Sequence, residues 1–142
     1  MLKNTEFTNK LRSSGLRPTK QRLKICEVLF NRDHTFHFTI NDLAKNISEE
    51  LNERISLATV YNTVHAFKKK GYLKEISINS DKSYFDTNTT NHHHFFDEDT
   101  NELIDCDDKI IETPKIKKNI SGKKINSVEV LVKVATDNQN QK

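Results

Sequence analysis

The spacing of apolar residues changes at Gly71, and this change constrains the fold more than any other feature of the sequence. Before Gly71, apolar side chains recur every three or four residues, which is typical of amphipathic helices. After it, residues 72–78 and 83–86 alternate around a turn at 79–82, which indicates a β-hairpin. Helices followed by a hairpin are the element order of a winged helix-turn-helix, whose last helix enters the major groove of DNA.

The helical half carries clear start and stop signals. Thr39 and Ser56 occupy N-cap positions, and Asp42 lies at the third position of the helix that follows Thr39. Gly71 follows three lysines, as expected where a helix ends. A short first helix is predicted before the turn at residues 13–15. Each predicted helix has one apolar stripe that is expected in the core. In chain order, the four stripes are Phe7 and Leu11; Leu23, Ile25, Cys26, Val28 and Leu29; Ile40, Leu43, Ala44, Ile47 and Leu51; and Leu57, Val60, Val64 and Phe67.

The last of these helices has a polar face that is suited to reading DNA. Thr59, Tyr61, Asn62 and His65 point away from the apolar stripe, and such side chains can reach base edges or phosphates. Residues 1–85 hold 15 Lys and Arg against 9 Asp and Glu, a charge of +6; the remainder hold 8 against 11, a charge of −3. A basic first part followed by an acidic second part favours nucleic-acid binding. An ordinary surface helix and chance segregation of charge remain alternatives.

The second half is predicted to be small and rich in strands. A hairpin is expected around residues 97–101, a helix from Asp107 to Glu112 that Pro114 limits, and a strand within Ile125 to Val134. Such a segment buries little surface alone, so we expect it to form a homodimer. The dimer would present two winged helix-turn-helix domains to a palindromic DNA site.

The expected fold class is therefore α+β. We expect an N-terminal winged helix-turn-helix domain over residues 1–86, then a small strand-rich α/β dimerisation domain over residues 87–136, and a disordered tail over residues 137–142.

Composition excludes several classes of protein. Hydrophobic residues make up 34% of the chain and the mean hydropathy is −0.76. No apolar run approaches the roughly 18–20 residues that span a bilayer, and the N-terminus has no apolar signal segment. Two distant cysteines without a CxxC pair exclude a disulfide framework and a four-thiolate zinc site. We expect a cytoplasmic protein with no membrane partner.

Three adjacent histidines, His92, His93 and His94, carry the chemistry. On a strand His92 and His94 share one face, so their imidazoles can bind one metal ion, which His37 and Asp86 would complete. His93 faces the other way and could form a second, weaker site with Glu112. A solvated polar run without any ligand is the alternative.

Two other classes of function compete with a regulator. His37, Asp86 and one histidine of the triplet could imitate the ligand triad of a non-haem iron enzyme. The sequence has no phosphate loop, no nucleophile constellation and few residues to wall a pocket, so we expect no enzyme. A structural DNA coat would bind without site preference and with steep salt dependence.

Three motifs in this order resemble the ferric uptake regulator family: residues 15–22 (GLRPTKQR), residues 56–62 (SLATVYN) and the histidine triplet. The likeness covers about residues 10–134. It implies a homodimeric winged-helix repressor of AT-rich inverted repeats, controlled by divalent iron, manganese or zinc. By the same likeness the DNA contacts are Arg17, Lys20, Thr59, Tyr61 and Asn62, and the metal ligands are His37, Asp86, His92 and His94.

Departures from the family pattern point to one branch. The structural-zinc CxxC positions fall on Asp97 and Thr100, so no structural zinc is expected. The late histidine of the second site is Ser127, and Asp86 stands where glutamate is usual. Residues 83–89 (SYFDTNT), followed by residues 92–96 (HHHFF) and 102–105 (ELID), are similar to the iron response regulator branch of alphaproteobacteria, in which the histidine triplet is implicated in haem binding.

That likeness implies a regulator of iron and haem genes, controlled by a divalent metal or by haem held at His92, His93 and His94. An ordinary metal-activated repressor of the same family is the alternative. Cys106 is followed by Asp107, so the chain lacks a Cys-Pro haem motif.

Overall fold

The computed structural model describes residues 2–138, and the chain forms two compact units that meet between Thr89 and Thr90. Among the described residues, the first unit contains four helices, a short strand and a hairpin, and the second contains three strands. The expected α+β class is confirmed. The elements of the first unit are α1 (Leu2–Ser13), α2 (Lys20–Phe30), β1 (His37–Phe38), α3 (Ile40–Leu51), α4 (Leu57–Lys70), β2 (Lys74–Asn79) and β3 (Lys82–Asp86).

The helices begin and end where the capping residues predict. Thr39 accepts a hydrogen bond from the backbone N–H of Asp42 at 3.2 Å, and Ser56 accepts one from Thr59 at 3.1 Å. Each bond satisfies a backbone donor that the first turn leaves unpaired. Gly71 ends α4 in the left-handed conformation, with φ of 90°.

The stripes of the four helices meet in one core, with one correction in α4. Leu57 was expected in this core, but it is 54% exposed, because it is the first residue of α4 and lines a groove with residues of α3. Thr63 takes the fourth buried position. Its hydroxyl donates to the Thr59 carbonyl at 2.8 Å, and this hydrogen bond offsets the desolvation cost of burying the hydroxyl. Val60, Thr63, Val64 and Phe67 thus form the inward stripe at helical spacing.

The first sheet has the order β1-β3-β2, with both pairings antiparallel. The hairpin of β2 and β3 was expected, whereas the two-residue strand β1 was not. β1 places His37 opposite Asp86 and Phe38 opposite Phe85. The sheet therefore brings together two residues that lie 49 positions apart in the chain.

The second unit contains a sheet of order β5-β4-β6. Strands β4 (His93–Asp97) and β5 (Glu102–Cys106) form the expected antiparallel hairpin, and β6 (Leu131–Val134) pairs in parallel with β4. Few side chains are buried in the described part of this unit: His93, His94, Phe96, Leu103 and Cys106.

Two elements that were expected in this unit differ in the structure. The helix expected from Asp107 to Glu112 is a single turn, in which the N–H groups of Ile110 and Ile111 bond to the Asp107 carbonyl. Pro114 disfavours helical geometry at Thr113, so the turn cannot extend past Glu112.

The strand expected from Ile125 is confined to Leu131–Val134. The N–H of Val130 bonds to the His93 ring at 2.9 Å and not to a neighbouring strand. The expected tail falls mainly on residues 139–142, which lie outside the described residues. Within residues 2–138, no helix has the length and apolar character needed to cross a bilayer.

Candidate functional site

The first group of candidate ligands lies on the first sheet. The pairing of β1 with β3 brings His37 Nε2 within 3.0 Å of Asp86 Oδ2. Asp86 is fully buried, and its other carboxylate oxygen accepts the N–H of Asn88 at 2.8 Å. A buried carboxylate is stable only with such partners or with a cation. His37 and Asp86 can therefore act together as ligands without rearrangement of the backbone.

The second group lies on the hairpin of β4 and β5, and we call His92, His94 and Asp105 the His–Asp group. The register sets His94 opposite Asp105, and the Nε2 atoms of His92 and His94 both lie 3.0 Å from Asp105 Oδ1. The potential ligand atoms of the group lie within 4.8 Å of one another. These separations suit nitrogen and oxygen atoms around one metal ion.

The tautomer of His92 favours a cation in this group. His92 Nδ1 lies 2.7 Å from the Thr90 carbonyl, which can only accept, so Nδ1 carries a proton. In the neutral ring Nε2 then presents a lone pair to the Asp105 carboxylate at 3.0 Å. Two electron-rich atoms at this distance need a positive charge between them, which a second ring proton or a metal ion supplies, and a backbone carbonyl on the other nitrogen is the usual support of a metal-bound histidine.

His93 faces away from the His–Asp group and is 2% exposed. The N–H of Val130 donates to its Nδ1 at 2.9 Å, so its Nε2 carries a proton and donates to Thr113 Oγ1 at 2.9 Å. Thr113 donates in turn to Asp108 at 3.0 Å. Glu112 is exposed, and no group of potential ligands among residues 2–138 contains it. The structure thus gives both ring nitrogens of His93 protein partners and does not bring Glu112 to a ligand cluster.

Asp105 is the residue that the sequence analysis missed. The sequence contains the information that places Asp105, because a hairpin is expected around residues 97–101. Once the turn is fixed, antiparallel pairing sets Asp105 opposite His94 and therefore on the face of His92.

The residues expected to contact DNA lie on the surface of the first unit. Tyr61 and Asn62 are exposed on α4, and the ring of His65 lies 4.0 Å from that of Tyr61 between centroids. The start of α2 borders the same surface. A groove of about 540 Å³ is lined by Arg17, Thr19, Lys20, Gln21, Arg22 and Thr59.

An ion pair fixes the end of α4 to the hairpin. Lys68 Nζ lies 2.5 Å from Glu75 Oε1. Burial opposes ionisation of Glu75, but hydrogen bonds from Lys68 and Ser83 and the charge of Lys68 outweigh it and lower the pKa of this carboxyl. The pair links the last turn of α4 to strand β2.

Both cysteines are buried thiols. Burial raises the pKa of Cys26 to about 12, and burial together with the neighbouring Asp107 raises the pKa of Cys106. A thiol with a raised pKa is a weak nucleophile and a weak metal ligand near neutral pH. The candidate chemistry of the chain therefore rests on its histidines and carboxylates.

The fold and the site define a class: proteins that join a winged-helix unit to a small strand-rich unit whose histidines and carboxylates could hold a metal ion. The profile of the ferric uptake regulator family matches residues 13–134, and the chain belongs to this family. Members of the family are metal-responsive transcription regulators that bind DNA as dimers, and they are not enzymes.

Individual relatives agree with this assignment. The peroxide-responsive repressor PerR of Staphylococcus aureus is 37% identical over 95 residues, which span 67% of this chain and 62% of the relative. The ferric uptake regulator of Pseudomonas aeruginosa with manganese is 26% identical, with a TM-score of 0.65 over 96% of this chain and 98% of that one. The regulator of Vibrio cholerae is 25% identical, with a TM-score of 0.66 over 91% and 98%.

Proposed function

We propose that this chain is a DNA-binding transcription repressor whose affinity for its operator is controlled by a divalent metal ion. The observation that carries the proposal is the convergence of His92 and His94 on Asp105, with the His92 tautomer held by the Thr90 carbonyl. This arrangement of two imidazoles and a carboxylate suits iron, manganese or zinc.

We propose that His37 and Asp86 complete the coordination sphere of the same ion. The combined donor set, three imidazoles and two carboxylates, matches the preference of these metals for mixed nitrogen and oxygen ligands. An ion that takes ligands from both units would couple metal occupancy to the orientation of the DNA-binding head.

The proposed DNA surface comprises the exposed face of α4 and the start of α2. Tyr61, Asn62, Thr59 and His65 would contact base edges, while Arg17 and Lys20 would contact phosphates. As a homodimer in the cytoplasm, the protein would bind an AT-rich inverted repeat with two heads. Residues 1–86 would form the DNA-binding domain and residues 87–136 the dimerisation and sensing domain.

The test is fluorescence anisotropy with a labelled promoter fragment, titrated with metal-free and Mn²⁺-loaded protein. The double variant His92→Ala/His94→Ala should lose the metal response and keep its fold, whereas His34→Ala, a histidine outside the site, should respond normally. Tyr61→Ala should weaken specific binding by about 1–3 kcal/mol. A double variant that still responds to Mn²⁺ would remove the His–Asp group from the sensor.

A response to peroxide is a second candidate, favoured by the names of the S. aureus relatives. Peroxide would act through bound ferrous iron, because both cysteines are buried with raised pKa values. Hydrogen peroxide should then abolish DNA binding by the iron-loaded protein and leave the manganese-loaded protein bound. Equal loss with both metals would contradict this candidate.

Control by haem, with iron and haem genes as targets, is the narrower alternative that follows from the likeness to the iron response regulator branch. Its support is the triplet of histidines, but His93 would have to give up the hydrogen bond that it accepts from the Val130 N–H in order to bind haem iron. The same anisotropy titration with haemin separates the two ligands. Reversal of binding by haemin, lost in the double variant, would favour haem over a simple divalent metal.

A further inference from the structure

The strand-rich unit leaves many isoleucines in solvent. Only Phe96, Leu103 and Cys106 are buried hydrophobic residues in the described part of this unit, whereas Ile110 is 69% and Ile120 73% exposed. A unit of about 50 residues with so few buried apolar side chains is marginal by itself. The other isoleucines that are exposed by 44–50% are Ile104, Ile116 and Ile125.

Two segments of this unit carry opposite charge. The basic segment, residues 115–125, contains five lysines and no acidic residue. The acidic hairpin, residues 97–108, contains seven Asp and Glu and no Lys or Arg. Three exposed isoleucines lie in the basic segment and one, Ile104, lies in the acidic hairpin. The two segments therefore match each other in charge and in apolar character.

The two segments do not neutralise each other within one copy of the chain. Among residues 2–138, no ion pair involves any lysine of the basic segment. Glu98 and Glu102 are exposed, and their carboxylates have no lysine partner in the same part of the chain. The matching surfaces are thus available to a second molecule.

We propose that the basic segment of one protomer lies along the acidic hairpin of its partner in the homodimer, and that the partner's basic segment does the same in return. A two-fold axis generates both contacts at once, since each copy offers both surfaces. The contact would cover isoleucines of both copies and would pair lysines with acidic side chains. It does not depend on which ligand the sensor binds.

Charge reversal tests the proposal by sedimentation velocity at about 0.1 M salt, where screening of such pairs is incomplete. Variant one is Lys117→Glu/Lys118→Glu, and variant two is Glu98→Lys/Glu102→Lys. Each places like charges across the proposed contact, so each should weaken its homodimer by about tenfold or more. The control Lys69→Glu/Lys70→Glu makes the same change of charge as variant one, but on α4, and should dimerise normally.

Mixing the two variants is the decisive step. In a heterodimer, the acidic segment of variant one meets the basic hairpin of variant two, and the remaining pair is native. Dimers should therefore reappear in the mixture, with a dissociation constant near that of the native protein. Circular dichroism of each variant separates loss of the contact from loss of fold.

Three outcomes would overturn the proposal. Failure of the mixture to form dimers, with both variants folded, would mean that the segments do not meet between copies. Native dimerisation by either variant alone would show that the contact is absent. Loss of DNA binding by variant one with its dimer intact would assign the lysines to DNA.

Discussion

His93 joins three parts of the strand-rich unit through its ring. One nitrogen accepts from the backbone of Val130, where β6 is about to begin, and the other donates to Thr113. The ring is almost fully buried, so water does not replace these bonds if they are lost. Unpaired buried donors and acceptors cost more than a hydrogen bond contributes.

Replacement of His93 by alanine should therefore destabilise the metal-free protein. We expect the free energy of unfolding to fall by about 1–3 kcal/mol, because the Val130 N–H is left without its acceptor. Urea unfolding at one protein concentration measures this. The matched control is His92→Ala, which removes a neighbouring imidazole from a more exposed position and should cost less. Equal losses from the two variants would contradict the structural role of His93.

Single residues also show what sequence patterns could and could not predict about the site. Strand alternation places His92 and His94 on one face, and the structure agrees because both approach Asp105. Asp105 was missed because its role depends on cross-strand register, which a list of ligand types does not contain. Leu57 was misplaced because periodicity does not show how far the neighbouring helix extends.

At the scale of elements, the end of α4 depends on a glycine. Gly71 has φ of 90°, and a Cβ added there would meet no other atom within 4 Å. The penalty for a side chain at this position is therefore one of backbone conformation and not of crowding. Left-handed backbone costs a non-glycine residue about 1–2 kcal/mol.

We expect Gly71→Ala to lower the free energy of unfolding by about 1–2 kcal/mol. Gly71→Asn should cost less, because asparagine tolerates the left-handed region better than alanine. Thermal unfolding of both variants provides the comparison. An alanine variant as stable as the native protein would show that α4 can end in another way.

The ion pair between α4 and β2 predicts a dependence of stability on pH. The folded-state pKa of Glu75 is lowered, so its contribution is present above the unfolded-state pKa and is lost as the pH falls through the folded-state pKa. Glu75→Gln should cost about 0.5 kcal/mol at neutral pH, since the pair is partly exposed.

The difference between Glu75→Gln and the native protein should disappear once the pH has fallen below the lowered folded-state pKa of Glu75, where both carboxyl and amide are neutral. Glu49→Gln, on the exposed face of α3, is the control and should show little difference at any pH. Urea midpoints measured between neutral and acid pH check both statements. A difference that persists unchanged in acid would mean that Glu75 acts through packing and not through charge.

Elements with their own capping signals were the most predictable. Thr39, Ser56 and Gly71 fix their helix ends through local hydrogen bonds and backbone preference, which the sequence displays directly. Residues 107–112 carry helix-compatible side chains, yet one turn forms, because tertiary contacts and Pro114 decide its length. Strand β1 was missed because its two residues need β3 as a partner and show no pattern alone.

At the scale of the whole molecule, metal binding should increase the free energy of unfolding. A ligand that binds only the folded state stabilises it according to its concentration relative to its dissociation constant, by about 2.7 kcal/mol at one hundred times that constant. Mn²⁺ should raise the unfolding midpoint of the native protein, and a chelator should reverse the rise. His92→Ala/His94→Ala should unfold at the same urea concentration with and without Mn²⁺. If Mn²⁺ raises the unfolding midpoint of that variant as much as it raises that of the native protein, the ion binds elsewhere.

The parallel pairing of β4 with β6 has a consequence for synthesis of the chain. Residues 94–97 cannot complete this pairing until residues 131–134 have been made, so the second sheet closes only after synthesis has passed Val134. Domains generally fold as units during synthesis, the N-terminal one first. The helical unit, complete by Thr89, would then leave the ribosome folded before the sheet can form. A ribosome that stalls before Val134 would release a folded helical unit without the closed second sheet, and removal of such fragments would become a task for cellular proteases.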